Sequence, residues 1–178
     1  KGVVLTHAQI LANLECIRHT FRADENSVGI SWLPPYHDMG LFGSLLAPIY
    51  SNSRMHLMKP LDFVRKPERW LQIISEQKAS HAGGPNFAYD LCVAKVPLNI
   101  LERLDLSSWK VAYNGAEPVR IQSLKRFADR FAPVGFKSSA FLPCYGLAEA
   151  TLMVTHFGPG VEPRVLPTSA EALGRGEW

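Results

Sequence analysis

The stretch Phe141-Leu142-Pro143-Cys144-Tyr145-Gly146-Leu147-Ala148-Glu149-Ala150-Thr151-Leu152 joins an apolar run to a tight turn that carries an aromatic ring, a glycine and one carboxylate. Residues 139–142 predict a buried strand, Gly146 lets the backbone approach a ligand closely, and Tyr145 offers a flat face. Glu149 is an acid in apolar surroundings, so a cation or a hydrogen-bond donor should lie beside it. The stretch predicts a ligand-binding loop, and the alternative is an ordinary strand-turn-helix corner with Glu149 facing water.

Strand and helix patterns alternate along the whole chain. Strand patterns occupy residues 2–6, 28–32, 55–58, 79–83, 110–113 and 139–142. Helical patterns occupy residues 7–21 with Thr6 as N-cap, a segment from Asp38, residues 67–74 with Pro67 in the favoured first position, and residues 86–95 and 119–131. This alternation predicts an α/β fold with a largely parallel β-sheet flanked by helices. Glycines and prolines recur after Val154, so we expect one domain over residues 1–157 and a loop or insertion over 158–178.

Composition and charge are those of an ordinary globular chain. Of its 178 residues, 47% are hydrophobic and 20% are charged, which suffices to bury a sizeable core. The net charge of +3 comes without a basic block, which argues against nucleic acid and for a small-molecule or protein partner. The most apolar window, residues 39–50, is too short and too interrupted for a membrane span, which needs about 20 residues.

The cysteines and the chain ends carry two further expectations. Cys16, Cys92 and Cys144 match no metal spacing and no disulfide framework, which predicts a reducing, cytoplasmic location. No signal-peptide pattern is present. The chain begins on Lys1 without an initiator methionine and stops at Trp178 without a closing element, so we expect a piece of a larger protein.

Four polar or glycine-rich loops follow strand patterns, at residues 33–40, 83–87, 114–118 and 144–149. Open α/β sheets bind ligands at the carboxyl ends of their strands, so these loops are expected to meet at one crevice. Taken alone, His37-Asp38 is more typical of a capped or surface histidine, and Asn114-Gly115 is more typical of a turn. Their convergence favours a binding site.

Several motifs resemble those of the adenylate-forming enzymes, the superfamily of acyl-CoA synthetases, luciferases and peptide-synthetase adenylation domains. Lys1-Gly2-Val3-Val4-Leu5-Thr6-His7 resembles the end of its phosphate loop, and residues 114–118 and 145–149 follow in the order of its adenine and phosphate loops. A narrower resemblance, to the large N-terminal domain of fatty acyl-AMP ligases, is carried by residues 32–41, 84–92 and 145–152. Ala148 stands where many superfamily members have threonine, and the fatty acyl-AMP ligase pattern shares that alanine.

The resemblance implies a reaction in which ATP and a fatty acid give acyl-adenylate and pyrophosphate, followed by acyl transfer to the phosphopantetheine thiol of an acyl carrier protein. It implies that His37 steadies charge at the reacting groups and that Glu149 holds Mg²⁺. The residues expected to bind the nucleotide are Lys1, Gly2, Asn114, Gly115, Ala116, Glu117, Pro118, Cys144, Tyr145, Gly146, Leu147 and Ala148. Those expected at the fatty acid are Asp38, Met39, Gly40, Gly84, Pro85, Phe87 and Ala88, although a Met or Phe on a helix face is more often plain core.

Parts of such an enzyme lie outside residues 1–178, among them the first half of the phosphate loop and the C-terminal domain with its catalytic lysine, so we do not expect this segment alone to turn over. Residues 161–178 resemble the start of an insertion that distinguishes fatty acyl-AMP ligases. Enzymes of this kind serve lipid, polyketide or nonribosomal peptide synthesis. Two alternatives stay open: an acyl-CoA synthetase of the same superfamily, and a non-catalytic module with the adenylate-forming fold.

Overall fold

The computed structural model describes residues 2–158, 160, 161, 163, 165, 167 and 169–176. Its helices are α1 (His7–Phe21), α2 (Asp38–Gly40), α3 (Ala47–Ser51), α4 (Pro60–Arg65), α5 (Glu68–Glu76), α6 (Asn86–Lys95), α7 (Leu98–Leu101), α8 (Ile121–Phe131) and α9 (Ala170–Gly174). A π-helical segment, Leu41–Leu46, joins α2 to α3, and 3₁₀ turns occupy Ala132–Val134, Ser138–Ala140 and Ala148–Ala150. The strands are β1 (Val28–Ser31), β2 (Arg54–Leu57), β3 (His81–Gly84), β4 (Val111–Asn114), β5 (Phe141–Gly146) and β6 (Met153–His156).

The six strands form one sheet in the order β2-β1-β3-β4-β5-β6. The first five run parallel, and β6 pairs with β5 antiparallel. This confirms the predicted α/β fold with a largely parallel sheet flanked by helices. In the register of the central strands, Gly84 pairs with Asn114 and Asn114 with Pro143, so the carboxyl ends of β3, β4 and β5 lie side by side.

The main core lies between the sheet and helices α5, α6 and α8. In α8, Leu124, Phe127 and Phe131 recur at helical spacing and are buried, while Lys125 and Arg126 between them are exposed. Phe127 packs edge-on against Tyr89 of α6, with ring centroids 5.1 Å apart. Burial of apolar side chains of this size stabilises the fold by about 1.5–3 kcal/mol each, which holds the sheet and its strand ends rigid.

Helix α1 builds a smaller apolar cluster with β6. Its buried Leu14 and Ile17 pack with Ala47 of α3 and Met153 of β6. The predicted cap is confirmed, because the Thr6 hydroxyl accepts a hydrogen bond from the Gln9 backbone and the Gln9 side chain accepts one from the Thr6 backbone. Helix α1 is therefore fixed both at its first turn and along its apolar face.

The structure corrects several element predictions. Residues 2–6 form no strand, since no described strand pairs with them and a lone strand would leave its backbone groups without partners. The predicted strand at 139–142 begins at Phe141 and runs on to Gly146, and α4 and β6 were not predicted. The helix expected from Asp38 is confirmed at its start but passes into the π-helical segment after Gly40.

Within the described ranges, no helix is long and apolar enough to cross a lipid bilayer. In the segment expected to begin an insertion, Ser169 caps α9 by accepting a hydrogen bond from the Ala172 backbone N–H at 2.9 Å. The neighbouring residues Pro159, Glu162, Arg164, Leu166, Thr168, Glu177 and Trp178 lie outside the described residues. The domain boundary at 157/158 and the insertion stay predictions.

Candidate active site

A cavity of about 180 Å³ opens where the loops after β1 and β4 meet the end of β5. It is lined by Ile17, Phe21, His37, Asp38, Met39, Gly43, Tyr113, Gly115, Ala116, Cys144, Tyr145, Gly146, Leu152 and Met153. Residues from three of the four predicted loops therefore meet at one place, as expected for the carboxyl edge of a parallel sheet. The fourth loop, at residues 83–87, is adjacent in the sheet but contributes nothing to this lining.

His37 and Asp38 stand at the start of α2, where the chain leaves β1. His37 Nδ1 lies 2.7 Å from Asp38 Oδ1, and the Met39 backbone N–H donates both to this carboxylate oxygen at 2.6 Å and to His37 Nδ1 at 3.2 Å, so that His37 caps α2. The imidazole is thus oriented by its neighbour, and Nε2 has no partner among the described residues. An oriented imidazole on a cavity wall can donate a hydrogen bond or stabilise an anion.

The loop after β4 is held in a tight conformation. Asn114 is buried, and its Oδ1 has no hydrogen-bond partner within the described part of the chain. Ala116 adopts a left-handed backbone with φ of 70°, which is uncommon for a residue other than glycine. Glu117 Oε1 accepts a hydrogen bond from the Phe87 backbone N–H at 2.6 Å, so its carboxylate is engaged with the first turn of α6. Gly115 and Ala116 line the cavity. The other predicted residues of this loop, Asn114, Glu117 and Pro118, are not part of the lining.

The end of β5 presents Cys144, Tyr145 and Gly146 to the cavity. Tyr145 is 60% exposed, so its ring is open to a ligand. The Cys144 thiol donates to the carbonyl of Asn114 at 3.6 Å, and burial raises its pKa to about 11, so it is a neutral wall group at physiological pH. Packing alone requires a glycine at position 146, because a Cβ there would clash with the carbonyl oxygen of Leu152.

Residues 147–152, which we call the Glu149 loop, fold back onto the end of β5. The loop closes through a hydrogen bond from Leu147 N–H to the Leu152 carbonyl at 2.9 Å. Leu152 N–H donates to the Ala150 carbonyl at 3.0 Å around Thr151, which has φ of 73° and ψ of −66°. This is a γ-turn of the rare, strained kind, at a buried residue. Backbone strain of this sort costs about 1–3 kcal/mol and persists only where the surroundings hold it.

The carboxylate of Glu149 points to solvent. Glu149 is exposed, and no hydrogen bond or ion pair joins it to another described residue. The expectation that Glu149 lies in apolar surroundings is wrong, because its side chain is exposed, as in the alternative of a corner with Glu149 facing water. The cation or hydrogen-bond donor expected beside it is not found among the described residues. An exposed carboxylate without a partner is free to bind a cation that arrives with a ligand.

Glu149 is the residue that the sequence predicts as a metal ligand. In the part of the chain that the structure describes, no group of three or more His, Cys, Asp or Glu side chains is arranged to hold a metal ion. A magnesium ion that arrives with phosphates needs only one or two protein carboxylates, so Glu149 fits that kind of site.

The remaining predicted residues that the structure describes are not part of the cavity lining. Gly40 is buried beneath Pro34, and Gly84 packs on Trp32, where a Cβ would lie 2.8 Å from the indole ring. Ala88 is fully buried in α6 and Phe87 touches Trp32 edge-on. Pro85, Leu147 and Ala148 do not line the cavity, Gly2 is exposed in an irregular segment, and Lys1 lies outside the described residues. The binding roles of all these residues stay predictions.

Several lining residues were not predicted. Ile17 and Phe21 of α1 and Leu152 and Met153 after the Glu149 loop form much of the apolar wall, with Tyr113 behind them. Gly43, in the π-helical segment, adds no side chain to the wall, and a Cβ there would make ordinary contact with Leu152 Cδ2 at 3.5 Å. The periodicity of α1 predicts a buried face, and that pattern is the same whether the face meets a core or a cavity.

The chain is similar to known proteins over nearly its whole length. The family model described as AMP-binding enzyme matches residues 1–175. The medium-chain-fatty-acid–[acyl-carrier-protein] ligase TtuA of Teredinibacter turnerae is 43% identical over 176 residues, which make up 99% of this chain and 27% of that protein.

Two solved structures from Legionella pneumophila share the fold. A crystal structure of a fatty acid AMP ligase superposes with a TM-score of 0.89 at 48% identity, covering 91% of this chain and 28% of that one. A fatty acyl-adenylate ligase in complex with acyl adenylate and pyrophosphate gives 0.88 at 47% identity, covering 91% and 29%. The chain thus spans less than a third of the length of these relatives. Because the family model matches nearly all of it, this chain belongs to the AMP-binding enzyme family.

Proposed function

We propose that this chain is the central part of the large domain of a fatty acyl-AMP ligase, with an insertion beginning within residues 158–178. The protein that contains it would convert ATP and a fatty acid to acyl-adenylate and pyrophosphate, and then transfer the acyl group to the phosphopantetheine thiol of an acyl carrier protein. The observation that carries the proposal is the single cavity in which His37, Gly115 and Tyr145 meet, with an apolar wall on one side. The acyl-carrier-protein ligase and the fatty acid AMP ligases among the relatives support it.

The first step needs no base from the protein. A carboxylate oxygen of the fatty acid attacks the α-phosphorus of ATP, a new P–O bond forms, and the bond to the leaving pyrophosphate breaks. The two reactants are both anions, so the protein contributes alignment and charge stabilisation. His37, which lies on the cavity wall 2.7 Å from Asp38, would stabilise negative charge at the carboxylate and α-phosphate.

The nucleotide would bind between the loop after β4 and the end of β5. The exposed ring of Tyr145 offers a stacking surface for adenine. The backbone at Gly115 and Ala116, fixed by the left-handed conformation of Ala116, offers hydrogen-bonding groups to the edge of the base. Glu117 supports this loop from behind through its bond to α6.

Glu149 would hold the magnesium ion that accompanies ATP. Mg²⁺ supplies positive charge to the phosphates and is bound by oxygen ligands. The exposed carboxylate of Glu149 has no competing partner among the residues that the structure describes, and the Glu149 loop fixes its backbone through the bond from Leu147 to Leu152. Glu149 lies three residues after Gly146, which lines the cavity.

The acyl chain would enter the apolar side of the cavity. Ile17, Phe21 and Leu152 lie there, together with Gly43 of the π-helical segment, which adds no side chain to the wall. Met39, an expected acyl contact, belongs to the same lining. We infer that the fatty acyl chain runs along α1. The loop from Gly84 to Ala88 lies on the other side of Trp32.

ATP–pyrophosphate exchange on the full-length protein with a series of fatty acids tests the proposal. Exchange that depends on a fatty acid supports it, and absence of exchange with retained nucleotide binding would instead support a non-catalytic module. Assays with CoA and with a holo acyl carrier protein then distinguish a fatty acyl-AMP ligase from an acyl-CoA synthetase. Ready formation of acyl-CoA would indicate an acyl-CoA synthetase. The three free cysteines, Cys16, Cys92 and Cys144, fit a cytoplasmic enzyme.

A further inference from the structure

Asn13 in α1 makes two hydrogen bonds to the backbone of Met153, 140 residues away. Its Nδ2 donates to the Met153 carbonyl at 2.8 Å, and its Oδ1 accepts from the Met153 N–H at 3.0 Å. The side-chain amide therefore pairs with a peptide group as a neighbouring strand would. Asn13 is half-buried and Met153 is buried, so these bonds are shielded from water.

Met153 is the residue directly after the Glu149 loop. The loop is a closed unit, joined by the bond from Leu147 N–H to the Leu152 carbonyl and by the γ-turn at Thr151. Because the unit is closed, fixing Met153 fixes the orientation of the whole loop. A classic γ-turn at a non-glycine residue also requires support from outside itself, and the Asn13 amide forms hydrogen bonds with Met153, the second residue after Thr151.

Helix α1 makes a second side-chain contact with β6, which provides a comparison. Thr20 Oγ1 lies 3.0 Å from His156 Nε2, near the far end of the strand. Both contacts join the same two elements, but Asn13 holds the strand where it leaves the Glu149 loop and Thr20 holds it three residues later. If these contacts mattered only for overall stability, losing either one would change metal binding at Glu149 to the same extent.

We propose that Asn13 is a positioning residue for Glu149: its amide holds Met153, and thereby sets where the Glu149 carboxylate meets a metal–nucleotide complex. The proposal rests on the proposed function, in which Glu149 holds Mg²⁺. Helix α1 also begins at His7, the last residue of the segment that resembles the end of a phosphate loop. The same helix thus ties that segment to the Glu149 loop.

The test compares Asn13→Leu with Thr20→Val in the full-length protein, with Glu149→Gln as reference. Mn²⁺ affinity in the presence of a non-hydrolysable ATP analogue is measured by electron paramagnetic resonance, alongside kcat and fatty-acid KM from pyrophosphate exchange. We expect Asn13→Leu to weaken Mn²⁺ binding about tenfold or more, as for groups that orient a metal ligand. Its kcat should fall while fatty-acid KM stays unchanged, and Thr20→Val should match wild type in all three.

A second variant keeps the test decisive if Asn13→Leu does not fold. Asn13→Asp keeps the acceptor for the Met153 N–H and loses the donor, so its Mn²⁺ affinity should fall between those of wild type and Glu149→Gln. Wild-type Mn²⁺ affinity in the Asn13 variants, or an equal loss in Thr20→Val, overturns the positioning role while leaving the proposed function intact. Mn²⁺ binding that does not depend on Glu149 overturns both.

Discussion

Glu117 Oε1 accepts a hydrogen bond from the backbone N–H of Phe87 at 2.6 Å, which joins the loop after β4 to the first turn of α6. A carboxylate at that place satisfies a backbone donor that has no partner within the helix and also interacts favourably with the helix dipole. The side chain of Glu117 therefore supports the loop from outside the cavity, while the backbone of Gly115 and Ala116 faces the cavity.

We expect Glu117→Ala to lower the free energy of unfolding by about 1 kcal/mol, the usual contribution of a side chain that caps a helix. Chemical denaturation of the full-length protein measures this. Glu102→Ala, at another exposed glutamate, is the matched control. A loss no larger than that of the control would mean that the bond to Phe87 contributes nothing to stability.

Glu149→Gln should keep the fold and lower adenylation by about 10²-fold or more, because a neutral amide is a poor ligand for magnesium while its shape is retained. Pyrophosphate exchange is the measurement, and Glu102→Gln serves as the control for loss of one surface charge. Exchange near the wild-type rate would remove Glu149 from the metal site and leave it as a solvated surface acid.

Tyr145→Ala should raise the Kd for ATP by about 10-fold or more, since stacking of a base on an aromatic ring is worth about 1–3 kcal/mol. Tyr145→Phe keeps the ring and should bind ATP as the wild type does. Isothermal calorimetry with a non-hydrolysable analogue gives both values. Equal weakening by the two substitutions would assign the effect to the hydroxyl group and argue against stacking.

Much of the fold could be predicted from the sequence because its elements follow short-range rules. The helix at His7–Phe21 follows from its apolar period and its Thr6 cap, and the helix at Asn86–Lys95 from its period and Pro97 beyond it. The convergence of loops follows from the parallel order of the strands, which the alternation of strand and helix predicts.

The missed features depend on contacts that are distant in sequence. The pairing of Asn13 with Met153 and the γ-turn at Thr151 have no local signal, because each exists only through the packing of α1 on β6. The role of Gly84 shows the same limit. A glycine in a loop predicts a close approach of some kind, but only the structure shows that Trp32 occupies the space beside it.

Substitution at Gly43 tests the course of the acyl chain. A Cβ there lies 3.5 Å from Leu152 Cδ2, which is ordinary contact, so Gly43→Ala should fold and remain active. Gly43→Leu should fill the apolar side of the cavity and shift the preference to shorter fatty acids, with ATP affinity unchanged. Adenylation across a chain-length series, beside nucleotide affinity, is the readout.

Gly84→Ala is the contrasting variant for the acyl pocket. Its added methyl group would lie 2.8 Å from the Trp32 ring, so we expect lower thermal stability and an equal loss for short and long chains. A selective loss of long chains in Gly84→Ala, with none in Gly43→Leu, would place the acyl chain beside Gly84 and contradict the course along α1.

The segment from Gly158 to Trp178 bears on the choice between thiol acceptors. In the full-length enzyme, an insertion that begins in this segment could pack between the N-terminal and C-terminal domains. It would then hinder the domain rotation that would let CoA reach the acyl-adenylate. Such an insertion need only favour the adenylating arrangement by a few kcal/mol, because each 1.4 kcal/mol shifts that population about tenfold. In the described part of this segment α9 is short and mostly exposed, so it has apolar and polar surface available for such contacts.

Deleting the insertion from the full-length protein should therefore leave acyl-adenylate formation intact and allow some acyl-CoA to form. Mass spectrometry of the products, with wild type and deletion each supplied with CoA, measures this, and pyrophosphate exchange shows whether the deletion still adenylates. Acyl-CoA made readily by the wild type would identify an acyl-CoA synthetase, since no barrier to CoA would then exist. Acyl-adenylate without acyl-CoA from both proteins would show that CoA is excluded elsewhere, because removing the segment would not have opened the thiol-accepting arrangement.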